Sequence, residues 1–448
     1  MKNKTRTDIT LFALSFILAA SLPLNAITLE ESINAALTKN PQVITAQKKV
    51  NIAYSKMAQA KGSLLPKISL SAGYGRSYTQ PMTVNLPTGL PIPAGSFSLS
   101  PDETSKVASY TFSLTQPVFY WGKDLRAISM LEHNYQIAKE DFIKTQNDLT
   151  FDVLSAYSNV LKAEKMEAII NERVKNTSTF LNQVNVLSDS GISTYADVLR
   201  VKTALANIKQ AEISSQNAIR ISKLAFNSII QNNLKAEVKL SEVAFKEDYE
   251  TVDSDFLISE TYKFNPEYQS FLLGEKIASD AVGLAQGGLF PDFTFSASTG
   301  RSITEYPIAG TNYDLGSWRA MIAATWNLFD GFANANKIVE ARENEAAMVS
   351  EEKSIKEAVE LRANEAILYL ESTKDKIAAA KVAEELAKES LKLAQINYAS
   401  NIGTSQSVLD SENALHQAET DLWNAKFDML IAKAKINNVV GREVYKLF

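Results

Sequence analysis

The feature that most constrains this chain is a duplication. Asn40-Pro41 recurs as Asn265-Pro266, Leu65-Pro66 as Phe290-Pro291, and Gly75-Arg76-Ser77 as Gly300-Arg301-Ser302, each 225 residues on. Farther along the offset becomes 210: Pro117-Val118-Phe119 answers Asn327-Leu328-Phe329, Thr194 answers Thr404, and Val198-Leu199 answers Val408-Leu409. The slip falls where the first copy carries a longer Pro-rich loop. Self-similarity over this length marks a duplicated supersecondary unit, so the 448 residues are one architecture built twice.

Composition narrows the setting. The net charge is −5, 22% of residues are charged and no basic block stands out, which argues against nucleic acid as a partner. With no cysteine there are no disulfides, thiolate metal sites, cysteine nucleophile or Cys-linked lipid anchor. Residues 1–26 read as a secretory signal: Lys2, Lys4 and Arg6 precede the apolar run Leu11 to Leu22, and Ala26 offers a cleavage site. The run is short of the ~20 residues of a spanning helix. Removing residues 1–26, with three positive charges and Asp8, leaves a mature chain of −7. No other stretch would span as a helix, so the reading is an exported protein whose membrane span is β.

Each copy opens with an amphipathic helix that Asn-Pro stops, Leu29 to Asn40 and Phe256 to Asn265. A second helix runs to about Ser63 and Gly288 and ends at Pro66 or Pro291. The period then changes from 3.6 to 2. Ile68, Leu70, Ala72 and Tyr74 alternate with Ser69, Ser71, Gly73 and Gly75, and Ala108 to Leu114 alternate with Ser109 to Thr115. Phe293 to Ala297 and Trp318 to Trp326 repeat the pattern in the second copy. Four such two-faced runs of about 9–11 residues suit tilted transmembrane strands, though a half-buried soluble sandwich would read alike.

The following helices separate those two readings. Lys123 to Ser190 and Phe332 to Ile402 contain neither Gly nor Pro. At ~1.5 Å per residue each spans about 100 Å, longer than a globular core needs. Leu149, Val153, Ala156, Val160, Ala163, Ile170, Val174, Leu181 and Val184 keep coiled-coil spacing. Four strands cannot close a barrel, since about eight is the smallest, and an open edge in lipid leaves backbone groups unsatisfied. A cyclic trimer would supply the missing strands, with the Ser/Thr/Gly face lining a wet lumen.

In layout and motifs the chain resembles the TolC-like outer-membrane efflux proteins over nearly all of its mature length. The residues that carry the resemblance are Ile27-Thr28-Leu29-Glu30-Glu31-Ser32, both Asn-Pro stops, both Leu/Phe-Pro strand entries, Gln116-Pro117-Val118-Phe119 and two turns. The resemblance implies an α+β membrane protein: a trimeric 12-stranded outer-membrane β-barrel joined to a 12-helix periplasmic α-barrel. The domain expectation is a signal at 1–26, a first repeat at 27–230, an equatorial segment at 231–254 and a second repeat at 255–448. The implied function is a passive export duct of a tripartite efflux or type I secretion system. Its partners would be two further copies, a periplasmic adaptor, an inner-membrane transporter and outer-membrane lipid. An adhesive or structural coiled-coil protein of the surface or periplasm is the alternative.

In that family the helix turns form the periplasmic entrance. Gly191, Ile192, Ser193 and Thr194, with Asn401, Ile402, Gly403 and Thr404, would be the adaptor-docking turns. Asp197 and Asp410 match ring aspartates and Tyr398 a latch tyrosine. Ser407 departs from an expected aspartate, and Gly403 from a tethering arginine. Because Arg200 and Asp410 are repeat-mates, an Arg200–Asp410 contact could replace that tether, the alternative being an Arg200 that snorkels away from the lumen. The chain carries no nucleophile motif, phosphate loop, cofactor site or metal-ligand cluster, so no enzyme is expected. His133 and His416 read as coiled-coil surface residues, and Glu351-Glu352 and Glu384-Glu385 as solvated helix faces.

Overall fold

A computed structural model describes residues 26–80, 83–85, 96–98, 103–243, 245, 253–307 and 310–445. The signal reading at 1–25 and most of the Pro-rich loop lie outside the described residues. The first copy runs α1 (Leu29–Lys39), α2 (Pro41–Gly62), β1 (Lys67–Thr79), the short β2 (Thr83–Asn85) and β3 (Ser96–Ser98), then β4 (Glu103–Phe119), α3 (Lys123–Asp189) and α4 (Tyr195–Ile229). The second runs α5 (Ser254–Phe264), α6 (Pro266–Gly287), β5 (Asp292–Tyr306), β6 (Thr311–Thr325), α7 (Ala333–Ala399) and α8 (Ser405–Val440).

The Asn-Pro pairs work as punctuation. Asn40 ends α1 with extended backbone, and its Oδ1 accepts from the Gln42 N–H, so the same residue caps α2 with Pro41 at the first helical position. Asn265 does this between α5 and α6, accepting from Tyr268. Each also donates its side-chain amide to a carbonyl of the helix that closes its own copy, Ile229 and Val439. The duplicated dipeptide thus welds the start of each copy to its end.

Four strands form an antiparallel sheet in the order β1-β4-β5-β6. They are longer than the alternation alone suggests, at 13, 17, 15 and 15 residues, because the unpatterned Glu103 to Val107 still pairs with β1. One face carries Ile68, Leu70, Tyr74, Phe112, Trp318 and Ile322, which are exposed in the single chain; the opposite face is mostly Ser, Thr and Gly along β1, β4 and β5, and on β6 it carries Tyr313, Leu315, Arg319 and Met321. Pro117 marks an irregularity in the β4/β5 register at the sheet's helical end. β2 and β3 pair with each other inside the Pro-rich loop, where Pro cannot donate to a ladder: the paired residues are Thr83–Asn85 and Ser96–Ser98, none of them Pro.

α3 is a spine. Its first part packs against α2 and α6, with the Arg126 Nη1 to Asp280 Oδ1 bond at 2.7 Å, and its second part packs against α4 and α8. At mid-height the residues Leu149, Val153, Leu154, Tyr157 and Val160 of α3 meet Phe226 of α4, Phe427 and Leu430 of α8, and the linker residues Val238 and Leu240. There the Tyr157 hydroxyl donates to the Ile27 and Ser241 carbonyls, and Ile27 bridges Leu240, tying the chain's start to the connection between copies. Burial pushes the Tyr157 hydroxyl pKa up to about 12, so it stays a donor at any working pH. Among the described residues no helix is long and apolar enough to cross a membrane.

Candidate functional site: the paired helix turns

Both long helices end in the same turn. After α3, Gly191 takes φ +76, and the Ile192 and Ser193 N–H groups both donate to the Leu187 carbonyl. After α7, Asn401 takes φ +58, and Ile402 and Gly403 both donate to Asn397. Asn tolerates the left-handed region that glycine fills in the first copy. Thr194 and Thr404 then cap α4 and α8. Asp197 N–H donates to Thr194 Oγ1 at 3.2 Å and Ser407 N–H to Thr404 Oγ1 at 3.2 Å, with the return bond made by the Asp197 carboxylate or the Ser407 hydroxyl. Ile192 and Ile402 project at the two tips, 54% and 81% exposed. Gly403 is tightly placed: a Cβ there would lie 3.1 Å from the Tyr398 backbone nitrogen, so the tethering arginine does not fit without a shift.

Above the tips the two hairpins are joined by a hydrogen-bonded cluster. Ser405 Oγ donates to Asp197 Oδ1 at 2.6 Å; Arg200 Nη1 donates to the same oxygen at 2.8 Å and to Ser405 Oγ at 3.0 Å. Thr194 Oγ1 donates to Asp197 Oδ2 at 2.6 Å. These bonds favour the charged form and hold the Asp197 carboxyl below its ordinary pKa, the Ser405 hydroxyl contributing most and Thr194 next. Tyr398 is buried, its ring edge-on to Phe180 at 5.1 Å and its hydroxyl 3.2 Å from Ser193 Oγ. Around it Val184, Val198, Val201, Leu391, Val408 and Leu409 form one apolar cluster drawn from all four helices.

The expected Arg200–Asp410 tether is not what forms within the chain. Arg200 reaches Asp197, one turn back on its own helix, while Asp410 accepts from Gln406 at 2.7 Å on α8. Repeat-mates occupy equivalent places on α4 and α8 without touching, and an i, i+3 partner is available to Arg200 with no second helix. Ser405 is the residue the sequence reading passed over. It sits just after the Thr404 cap, where a serine reads as an ordinary helix start.

A second inter-hairpin cluster lies about two turns farther along α8. Thr177 Oγ1 of α3 donates to Glu412 Oε1 of α8 at 2.8 Å, and Arg173 bonds Asn413. Glu412 is 7% exposed and burial raises its pKa; burial lowers that of Arg173 and, with the nearby Arg173 charge, that of His416. His416 is therefore part of a packed seam, not a surface residue. His133 is corrected as well: its Nε2 lies 3.7 Å from the buried Asp280 carboxylate. Neither signal is visible in sequence, because both need the helix partner.

A two-faced sheet carried on duplicated helical hairpins that meet in capped turns defines a class of membrane channel protein. The outer membrane efflux protein model matches residues 32–230 and 257–442, and the chain belongs to that family, a TolC-like channel protein of the cell outer membrane extending into the periplasm. Outer membrane protein TolC of Escherichia coli K12 is 23% identical over 417 residues, covering 91% of this chain and 80% of TolC. That of Vibrio cholerae is 20% identical over 418 residues, covering 92% and 90%. Among solved structures, CusC superposes with TM-score 0.78 at 14% identity, covering 92% of each chain, and VceC of Vibrio cholerae with 0.76 at 16%, covering 93% and 97%.

Proposed function

We propose that three copies of this chain close into a passive export duct that is gated at the paired turns. The observation that carries this reading is the unfinished sheet. β1 and β6 stand at its two ends, so among the described residues each has one edge without a partner, and much of one face is exposed Ile, Leu, Tyr and Trp. In lipid an unpaired strand edge is untenable, and closure among copies removes it. Three copies give 12 strands and bring the long helices into one ring. The Ser/Thr/Gly face would line the pore, and the apolar face would meet lipid.

The turns support the remaining steps. Gly191–Thr194 and Asn401–Thr404 present exposed Ile192 and Ile402 at the periplasmic end, suited to docking the tip of a periplasmic adaptor that links the duct to an inner-membrane transporter. Asp197, Arg200, Tyr398, Ser407 and Asp410 are the proposed gate, with Ser405 added to them. Cargo would be chosen by the transporter, either small molecules or secreted proteins. Native mass measurement on gently extracted protein tests the assembly: a trimer is expected, and a monomer in lipid-like conditions would overturn it.

A further inference from the structure

The lipid-facing side of the sheet is not apolar to its end. Arg76 of β1 lies directly opposite Lys106 of β4, Lys106 opposite Glu305 of β5, and Glu305 opposite Asn312 of β6. By strand alternation these four share a face with Tyr74, Phe112 and Trp318. Two rows below, Arg301 grips Asp314 with both arms of its guanidinium, Nε to Oδ1 at 2.6 Å. Arg301 is thus fully paired. Lys106 has Glu305 at 3.9 Å on one side and the Arg76 cation on the other.

Like charges directly opposite on an antiparallel pair are destabilising, so the Arg76/Lys106 placement calls for an anion. The neighbouring copy does not provide one. Carrying the β4/β5 register through the repeat offsets onto β6 and the next chain's β1 sets Ala320 opposite Arg76, Trp318 opposite Tyr78 and Ile322 opposite Tyr74. Depth identifies the anion. Eleven residues separate Arg76 from Leu65, whose repeat-mate Phe290 stacks on Trp121 at 4.5 Å in the lower aromatic belt. At ~3.4 Å per residue and ~40° of tilt this is roughly 28 Å, just beyond an apolar band ~25 Å tall. The two cations therefore stand at the level of the outer headgroups, above tyrosines and aliphatic residues that face acyl chains.

We infer that Arg76 and Lys106 form a docking site for the phosphate of a phosphorylated lipid in the outer leaflet, one site per chain. The inference rests on the trimeric barrel proposed above. Each phosphate would lie between the guanidinium, which binds its oxygens in a fork, and the Lys106 ammonium. The acyl chains would run down past Tyr74, Leu70 and Ile68. Chains carrying the excess positive charge at one rim would then hold a collar of anionic lipid.

Native mass spectrometry of the detergent-extracted protein tests this, using doubly phosphorylated lipid A, phosphatidylcholine and inorganic phosphate as probes. The wild-type trimer should retain up to three lipid A molecules and no phosphatidylcholine, and R76Q/K106Q should retain lipid A at least tenfold less. In lipid-free detergent R76Q alone should melt higher than wild type, because a like-charge pair has gone, and should lose that advantage when lipid A is added. Equal lipid A retention by wild type and R76Q/K106Q, or an R76Q protein that melts no higher without lipid, would overturn the inference. Inorganic phosphate giving the same stabilisation as lipid A would replace the lipid with a free anion and overturn it equally. Should R76Q fail to assemble, K106Q carries the retention measurement. A monomer in the spectrum would remove the barrel reading as well; a trimer without lipid removes only the docking site.

Discussion

Replacing Ser405 with Ala separates the bonds that hold the entrance from those that merely start a helix. Asp197 makes two kinds of contact. Those to Thr194 and Arg200 stay within the first turn of α4 and persist wherever α8 moves. The Ser405 hydroxyl is the cross-hairpin partner, bonded to Asp197 at 2.6 Å and to Arg200 at 3.0 Å. A hydrogen bond to a charged group is worth about 1.5 kcal/mol at the low end of its range, and 1.4 kcal/mol is roughly tenfold in an equilibrium. Ser405→Ala should therefore raise open-state occupancy about tenfold per chain in a planar-bilayer recording, with helix content and melting barely changed. Asp197→Ala should open the channel to the same extent and also destabilise the start of α4 by about 1 kcal/mol through loss of the reciprocal cap. The double variant should gate like Asp197→Ala alone, because both substitutions remove one interaction. Arg200→Ala, losing the longer and partly exposed bond from Arg200 to Ser405, worth about 0.5 kcal/mol, should open it only about twofold. If Arg200→Ala opens the channel more than Ser405→Ala does, Arg200 acts on another chain and the Ser405 account is wrong. The pH dependence follows from the same bonds. The Asp197 pKa is depressed in the fold, so its contribution is complete above the ordinary value of 3.8 and is lost as pH falls through the folded pKa. Closed-state conductance should be flat from pH 8 to about 4.5 as far as this group is concerned, and rise only in stronger acid.

Two further predictions concern stability. Burial raises the Glu412 pKa above 4.5, so the fold binds that proton more tightly than the unfolded chain and the charge burdens the seam at neutral pH. Glu412→Gln keeps an acceptor for Thr177 and should melt higher than wild type at pH 8, with the gain disappearing near pH 4; a lower melting temperature at pH 8 would show that the Arg173 charge outweighs burial. In the sheet, a Cβ on Gly300 would lie 2.6 Å from the Tyr110 carbonyl oxygen, whereas one on its repeat-mate Gly75 meets nothing within 4 Å. Gly300→Ala should cost about 1–3 kcal/mol by overpacking and lower the yield of membrane-assembled protein, while Gly75→Ala should not; equal yields would refute the contact.

What the sequence made legible is what local chemistry decides. The Asn-Pro stops, the period-2 runs and the Thr caps each act over a few residues, and each appears where its residues predict it. The reach of β4 was not legible, because Glu103 to Val107 has no alternation and is a strand only by pairing with β1 and, at Lys106 and Val107, with β5. The β2/β3 pair was hidden by the prolines around it. Long-range polar pairing was the least visible part. His416, Arg173, Thr177 and Glu412 are ordinary polar residues on two helices far apart in sequence until α3 and α8 are laid together.

The duplication also bears on the contacts at the mouth. Symmetry fixes the frame: α3 and α7 are both 67 residues long and their caps stand 210 apart. It does not fix the contacts at the mouth, because the residues that make them are not duplicated. Tyr398 has Ser188 as its mate, Phe180 has Ser390, Asp197 has Ser407, Ser405 has Tyr195 and Glu412 has Lys202. The bonds joining the two hairpins of one chain are thus made by residues whose repeat-mates are different residues. Pairing Arg200 with its mate Asp410 assumed that equivalent positions interact. Within the chain these mates do not pair, since Arg200 bonds Asp197 and Asp410 accepts from Gln406, so the contacts to seek are between residues whose mates differ.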